Sequence, residues 1–311
     1  MSCVIQALRR AGRIKWLAGI TLAVAAAAPI AAKEVQHADA RFTPRIAHPA
    51  YVSDGPVVAV DEAHHNFHTL EGKFDPFGKL AAADGYRVRP SAVPFSAQSL
   101  TGVNLLVIAN ARVPDQGGEA FTPQEIAAVR QWVEDGGSLL LIADHAPFGT
   151  AARPLAEAFG VDMGTGFAIV RQGGAITANI EYRGSELGVH PILAGRDSSE
   201  RVEEVKTFTG QSLGIPAGAT GLLLLPPNAL GVLSLDDLHR FADGAAVQGM
   251  RIGGRAQAVA LTVGRGRVVV AGEAAMFTEQ IIPDLGRVGL TVDDDQQFVL
   301  NILHWLSRTL P

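Results

Sequence analysis

Cysteine is almost missing from this chain: Cys3 is the only one in 311 residues. Beyond it the protein can form no disulfide, offers no thiolate nucleophile and builds no Cys-ligated metal site. Charged residues make up 18% and aromatics 6% against 48% hydrophobic residues, so the chain is neither low-complexity nor disordered, and it is long enough for one large core. Basic residues are in deficit, 26 against 31 acidic, which argues against nucleic acid or anionic lipid as a partner. Gly210-Gln211-Ser212-Leu213-Gly214 has Gly-x-Ser-x-Gly spacing but lies in a stretch that reads as a loop and a strand rather than a strand-to-helix elbow, so a serine-hydrolase reading lacks support. Gly164-Thr165-Gly166 and Gly264-Arg265-Gly266 do not open helices after strands, so the dinucleotide fingerprint is absent too.

The first residues stand apart. Arg9, Arg10, Arg13 and Lys15 precede an uncharged, Ala-rich run from Trp16 to Ala32, short for a membrane span and ending in small residues. This predicts a signal peptide over residues 1–32, cleaved near Ala32 or alternatively near Ala40, with an uncleaved anchor as the competing reading. Cleavage leaves a periplasmic or secreted protein with no stable membrane insertion. The segment carries four of the 26 cations, so its removal takes the net charge from −5 to −9. Residues 33–55 have no period and are expected to be an arm. Residues 56–311 are expected to be one α/β domain, with no repeat and no linker dividing them.

Within that domain strand and helix signals alternate. Apolar strands are expected at Pro56–Val60, Tyr86–Val88, Leu105–Ala109 and Ser138–Ala143, and helices at Asp75–Asp84, Pro123–Asp135 and Pro154–Phe159. Thr122, Pro123 and Glu125 make a capping box for the clearest helix, and Gly136 closes it. The Gly/Pro-rich middle, from about Val161 to Gly254, is expected to add peripheral strands and loops. Ala258–Val263 and Arg267–Ala271 read as a hairpin, and Asp295–Ser307 as a closing helix with Phe298, Ile302, Trp305 and Leu306 facing inward. Apolar strands joined by helices indicate a mainly parallel sheet covered on both sides.

Four strand ends carry polar residues: Asp61-Glu62, Asn110, Asp144-His145 and Gly272-Glu273. If those strands are parallel neighbours, all four project from one carboxyl edge, where open α/β sheets bind ligands. The stretch Asp61-Glu62-Ala63-His64-His65-Asn66-Phe67-His68 is the densest of them. Asp144, His145, Glu62, Glu273 and His65 are the candidate acid–base residues. Asp61, Asn66, Asn110 and Phe148 are the candidate substrate contacts. His64 and His68 are four apart and could share a divalent metal, although Asn66 and Thr69 favour a loop over the helix such a pair needs. Each has a plainer reading: Asp144 or Glu273 as a cap, His64 and His68 as hydrogen-bonding or general-base groups rather than metal ligands.

Taken together, the His-rich stretch at 61–69, Gly136-Gly137-Ser138-Leu139-Leu140-Leu141-Ile142-Ala143-Asp144-His145, His190-Pro191-Ile192 and Gly272-Glu273 resemble the class I glutamine amidotransferase-like superfamily. Within it the chain is most similar to DUF4350-type proteins and more distantly to ThuA-like ones, over about Pro56 to Leu306. The resemblance implies a flavodoxin-like three-layer α/β sandwich. Amidotransferases carry a nucleophilic cysteine in the turn corresponding to Ala143-Asp144-His145-Ala146-Pro147, and this turn has none, so thioester hydrolysis of glutamine is excluded. ThuA-like proteins are associated with sugar metabolism. The resulting expectation is an exported hydrolase of a small, carbohydrate-like substrate using Asp, Glu and His, with no certain cofactor and a divalent metal as a variant. The alternative is a non-catalytic periplasmic binding module.

Overall fold

The computed structural model describes residues 37–311 apart from 173–174, 243–244, 246 and 283–285; the expected signal peptide and the first residues of the arm lie outside the described residues. In chain order the first half runs β1 (His37–Ala38), β2 (Val57–Asp61), α1 (Asp75–Ala83), β3 (Arg87–Ser91), β4 (Leu105–Ala109), α2 (Pro123–Glu134), β5 (Ser138–Ile142) and α3 (Phe148–Ala158). The middle supplies β6 (Phe167–Gln172), β7 (Ala175–Thr177), β8 (Glu181–Arg183), α4 (Pro191–Ala194), β9 (Glu204–Lys206), β10 (Thr220–Leu224), β11 (Leu230–Val232), α5 (Leu235–Ala242) and β12 (Met250–Arg251). The chain closes with β13 (Ala256–Val263), β14 (Gly266–Ala271), β15 (Glu279–Ile282), β16 (Gly286–Gly289) and α6 (Asp295–Leu306).

The core is a seven-stranded, mainly parallel sheet in the order β10-β13-β14-β5-β4-β2-β3. Strands β3, β2, β4, β5 and β14 run parallel, and the β13–β14 hairpin makes β13 antiparallel. Side chains alternate between the faces, as the strand period of two requires. Val58, Val60, Leu105, Val107, Leu140 and Val269 pack with Phe77, Leu80, Phe298 and Ile302 of α1 and α6. Ala59, Leu106, Ile108, Leu139, Leu141 and Val268 pack with Val129, Val133, Ala152 and Leu155 of α2 and α3 on the other face. Helices on both faces explain why these strands carry apolar residues throughout.

Three further small sheets surround this core: β1-β15-β16, β12-β11-β6-β7 and β8-β9. Among the described residues no helix is long and apolar enough to cross a membrane.

Two elements differ from expectation for clear reasons. Helix α3 begins at Phe148, six residues before Pro154, because Phe148, Ala151, Ala152, Leu155 and Ala156 form a continuous buried stripe at helical spacing. That burial outweighs the backbone hydrogen bond lost at Pro154. Strand β3 extends to Ser91 through exposed Arg87, Arg89 and Pro90; it is an edge strand, so its polar character hides it.

The middle region also contributes more than periphery, since β10 extends the central sheet through β13.

The chain passes from β2 to β3 on one side and then to β4 on the other. The sheet therefore has its topological switch point between the carboxyl ends of β2 and β4.

Candidate functional site

The loop after β2 folds across this switch point and is tied to β4. Phe67 N donates to the Asn110 carbonyl (2.9 Å), and Asn66 Nδ2 donates to the Ala109 carbonyl (3.3 Å). Asn110 in turn ties β4 to β5, its Oδ1 accepting from Asp144 N at 2.8 Å. His65, Asn110 and Thr209 all hold left-handed backbone, with φ of 51°, 49° and 70°. For a β-branched threonine that conformation is strained.

Deep under the loop, His64 is clamped between two carboxylates. Its Nδ1 lies 2.8 and 2.9 Å from the two Asp61 oxygens, and its Nε2 lies 2.8 Å from Glu125 Oε1. All three residues are buried. Burial alone would pull the imidazole pKa down, but the hydrogen bonds and charges of Asp61 and Glu125 overcome it and hold His64 above its usual value. Burial likewise pushes Glu125 up, yet His64, Thr122 and the Phe95 N–H outweigh it and bring its carboxyl down to about 2. Asn66 Nδ2 and Ala63 N complete the hydrogen bonding of Asp61.

The expected metal pair is therefore not assembled. Both His64 nitrogens are occupied by carboxylates, and the loop is not a helix that would put His68 beside it. His68 is instead buried flat against Phe74 (5.3 Å between ring centres), its Nδ1 without a partner. Burial and the charge of Lys73 push its pKa down to about 3. Among the described residues no set of three His, Cys, Asp or Glu side chains is placed to hold a metal ion.

The remaining candidates fall into a second group around the ends of β5 and β14. Asp144 and His145 are buried to the same degree, each 9% exposed. Asp144 Oδ1 accepts from His145 N at 2.7 Å. Burial raises the Asp144 pKa, and His145, Thr209 and Lys73 offset this only in part. The His145 ring stacks on Phe167 at 4.5 Å, and its Nδ1 lies 2.7 Å from the Ala146 carbonyl. A carbonyl can only accept, so Nδ1 carries the proton of that bond. In the neutral ring the lone pair then sits on Nε2.

Glu273 is fully buried. Its Oε1 accepts from Ala275 N (2.6 Å) and Phe208 N (3.4 Å), and its Oε2 from Met276 N (2.9 Å). It caps the turn after β14. Burial and the neighbouring Asp144 charge raise its pKa well above the usual carboxylate range, against the pull of those N–H groups. Asn110 leaves its Nδ2 buried and unpaired beside Asp144, and such an orphan donor costs about 1–3 kcal/mol.

Of the other candidates only Phe148 adjoins this group, its ring 6.3 Å from that of His145. Glu62 is spent on Leu70 N at 2.8 Å. His65 is exposed, its carbonyl accepting from Arg112 Nε at 2.8 Å. Phe148 is buried near Phe67, 5.6 Å between ring centres.

Four participants escaped sequence reasoning. Buried Lys73 lies over the Phe67 ring at 4.2 Å, and its charge reaches both His68 and Asp144. The Thr209 hydroxyl lies against the Phe208 carbonyl and Asp144. Phe167 and Gln211 are the other two. All but Lys73 come from the irregular middle, where periodicity carries no signal, and Lys73 reads as an ordinary surface lysine. Glu125 was recognisable only as a helix cap.

No protein-family model and no curated protein sequence matches the chain. Solved structures supply the likeness. The mmIFT52 N-terminal domain superposes with a TM-score of 0.59 at 14% identity, covering 80% of this chain and 97% of that one. Putative ThuA-like proteins are also among the neighbours: one from Bacteroides uniformis ATCC 8492 (TM-score 0.39, 12% identity, 83% and 95% covered) and one from Parabacteroides merdae ATCC 43184 (0.43, 11%, 82% and 91%). At these identities the similarity is one of fold. It is a mixed α/β fold with a seven-stranded, mainly parallel central sheet.

Proposed function

We propose that the protein is an exported hydrolase of a small polar, carbohydrate-like substrate, with Asp144 and His145 as its acid–base pair. The observation that carries this reading is the fixing of the His145 ring by the Ala146 carbonyl and Phe167, directly beside an Asp whose burial favours its protonated form. His145 Nε2 takes the proton of the attacking water, and Asp144 delivers a proton to the departing oxygen. Asn110 Nδ2 and the Lys73 ammonium offer a donor and a positive charge to oxygen that becomes negative in between. In this reading the chain is a cysteine-less relative of the class I amidotransferase-like proteins of DUF4350 and ThuA type, with a flavodoxin-like sandwich, and a proton-transfer pair occupies the turn where glutamine amidotransferases keep their nucleophile.

The test is turnover by the purified chain from residue 33 onward on a panel of aryl glycosides and esters. His145→Gln and Asp144→Asn should each lower kcat by about 10²–10⁴-fold while the fold is retained. In the wild type, turnover should fall as pH rises through the Asp144 pKa, which lies above 3.8, and Asp144→Asn should remove that limb. Saturable sugar binding without turnover would replace this reading with the non-catalytic binding module. The full structural use of Glu273, Asp61 and His64 favours that second reading, because it withdraws three titratable groups from chemistry.

We also propose a periplasmic or secreted location with signal cleavage near Ala32 rather than Ala40. His37 and Ala38 pair with β15, and Asp39 is buried against Arg287 at 2.7 Å. Sequencing the N-terminus of protein recovered from outside the cytoplasm tests this; a mature chain starting at Arg41 would refute it.

A further inference from the structure

We propose a second ligand site in the pocket between α3 and the β11–β6 sheet, one that takes a small hydroxylated carboxylic acid. The pocket has a volume of about 170 Å³ and is lined by Arg153, Gly164, Phe167, Gln211, Ile252 and Arg255 among others.

Gln211 is the central observation. Its side chain is 1% exposed, and its Nε2 donates to the carbonyls of Ala143 (2.8 Å) and Asp144 (3.1 Å). Two carbonyl oxygens can be met only by an amide NH₂, so the orientation of the group is fixed. Oε1 is then turned away from both carbonyls, buried and without any hydrogen-bond partner. Two glycines let the backbone pack closely against it. A Cβ on Gly149 would stand 2.6 Å from Oε1, and one on Gly164 would stand 3.2 Å away. Gln211 lines the pocket, and an orphan acceptor in its wall is suited to an incoming hydroxyl or N–H.

Charge supplies the second requirement. The Arg153 guanidinium is half-buried and bonds only the Met163 carbonyl, through Nε (3.1 Å) and Nη2 (2.9 Å); among the described residues it has no carboxylate. The one acid lining the pocket, Asp162, is already paired with Arg255 at 2.7 Å. One positive charge is therefore left over, and a planar carboxylate matches its fork. The apolar faces of Phe167, Val232 and Ile252 accept the carbon skeleton. A buried cavity of about 150 Å³ holds a benzene-sized guest, so the pocket encloses the bulk of a glycerate, and a single uronic acid leaves part of its ring outside the rim.

The pocket shares two groups with the Asp144–His145 site. Phe167 lies between it and the His145 ring, and Gln211 holds the Asp144 carbonyl. Its occupancy is independent of any turnover, so absence of hydrolysis leaves this proposal standing.

Isothermal titration of the chain from residue 33 onward with D-glycerate and D-glucuronate, against glycerol, glucose and acetate, is the decisive measurement. The hydroxy acids should bind saturably and about tenfold more tightly than the neutral analogues or acetate. Arg153→Gln should weaken them about tenfold, and Thr165→Trp, which fills the pocket from its rim, should abolish binding with melting temperature unchanged. Equal binding of the neutral analogues, no saturation at millimolar concentration, or wild-type affinity in Thr165→Trp would each overturn the assignment. Since Arg153 also braces the Met163 carbonyl, Thr165→Trp decides if Arg153→Gln fails to fold.

Discussion

Two histidines four residues apart in one loop respond to pH in opposite senses. His64 is held above its usual value, so its stabilising contribution is complete below about pH 6.5 and is lost as pH rises through its folded pKa. Glu125, brought down to about 2, contributes fully above about 4.5 and loses that contribution as pH falls toward 2. His68 is buried neutral with a pKa of about 3; the unfolded chain takes up a proton there first, so stability declines as pH falls from about 6.5 toward 3. His68→Phe should therefore be more stable than wild type at pH 5 than it is at pH 8, as read by urea midpoints; an advantage that is the same at both values would show that His68 does not titrate this way. His64→Leu leaves two buried carboxylates facing an apolar side chain and should cost about 3–5 kcal/mol. At this scale the sequence shows which residues gather but not what each one does. Asp61, His64 and Glu273 are as polar as Asp144 and His145, and only their partners show that the first three are held inside the structure.

The capping box of α2 shows how an element carries a site. Thr122 Oγ1 accepts from Glu125 N (3.2 Å), and Glu125 Oε2 accepts from Thr122 N (2.9 Å), while the other carboxylate oxygen reaches His64 and Phe95 N. One glutamate thus caps the helix and anchors the loop of the switch point. Thr122→Ala should lower stability by about 1 kcal/mol as a lost cap. Combined with His64→Leu it should be less destabilising than the two separate effects added, because both act through Glu125; strict additivity in chemical denaturation would separate the two roles. Elements with a clean period were legible: β4, β5, α2, the β13–β14 hairpin and α6 lie within a residue or two of expectation, and the four polar strand ends do share one edge. Strand β3 and the first turns of α3 were not, because one is polar on an edge and the other is interrupted by a proline that tertiary burial tolerates. Residues 161–254 were legible only as irregular, and that is where Phe167, Thr209 and Gln211 lie.

For the molecule as a whole, the residues before the first central strand are structural rather than a loose leader into the domain. Strand β1 pairs with β15 through His37↔Ile281 and Ala38↔Gln280, Asp39 N donates to the Glu279 carbonyl (2.8 Å), and Phe42 is buried in the same core as α1 and α6. Arg287 ties the segment down by pairing with both Asp39 (2.7 Å) and Glu279 (2.6 Å). Further along, Ala50 N donates to Asp84 Oδ1 (2.7 Å), and the other Asp84 oxygen lies 2.8 Å from His304 Nε2, so arm, α1 and α6 meet at one buried carboxylate. Composition could not reveal this, because the arm has no period of its own and takes its order from the surfaces it covers. A chain beginning at Arg41 loses the β1 pairing and leaves Arg287 with Glu279 alone, whereas one beginning at Lys33 keeps both. The shorter chain should melt at lower temperature and exchange its β15 amides faster, while the amides of β4 and β5 stay protected; equal melting and equal β15 protection in the two chains would show that the arm only rests on the domain.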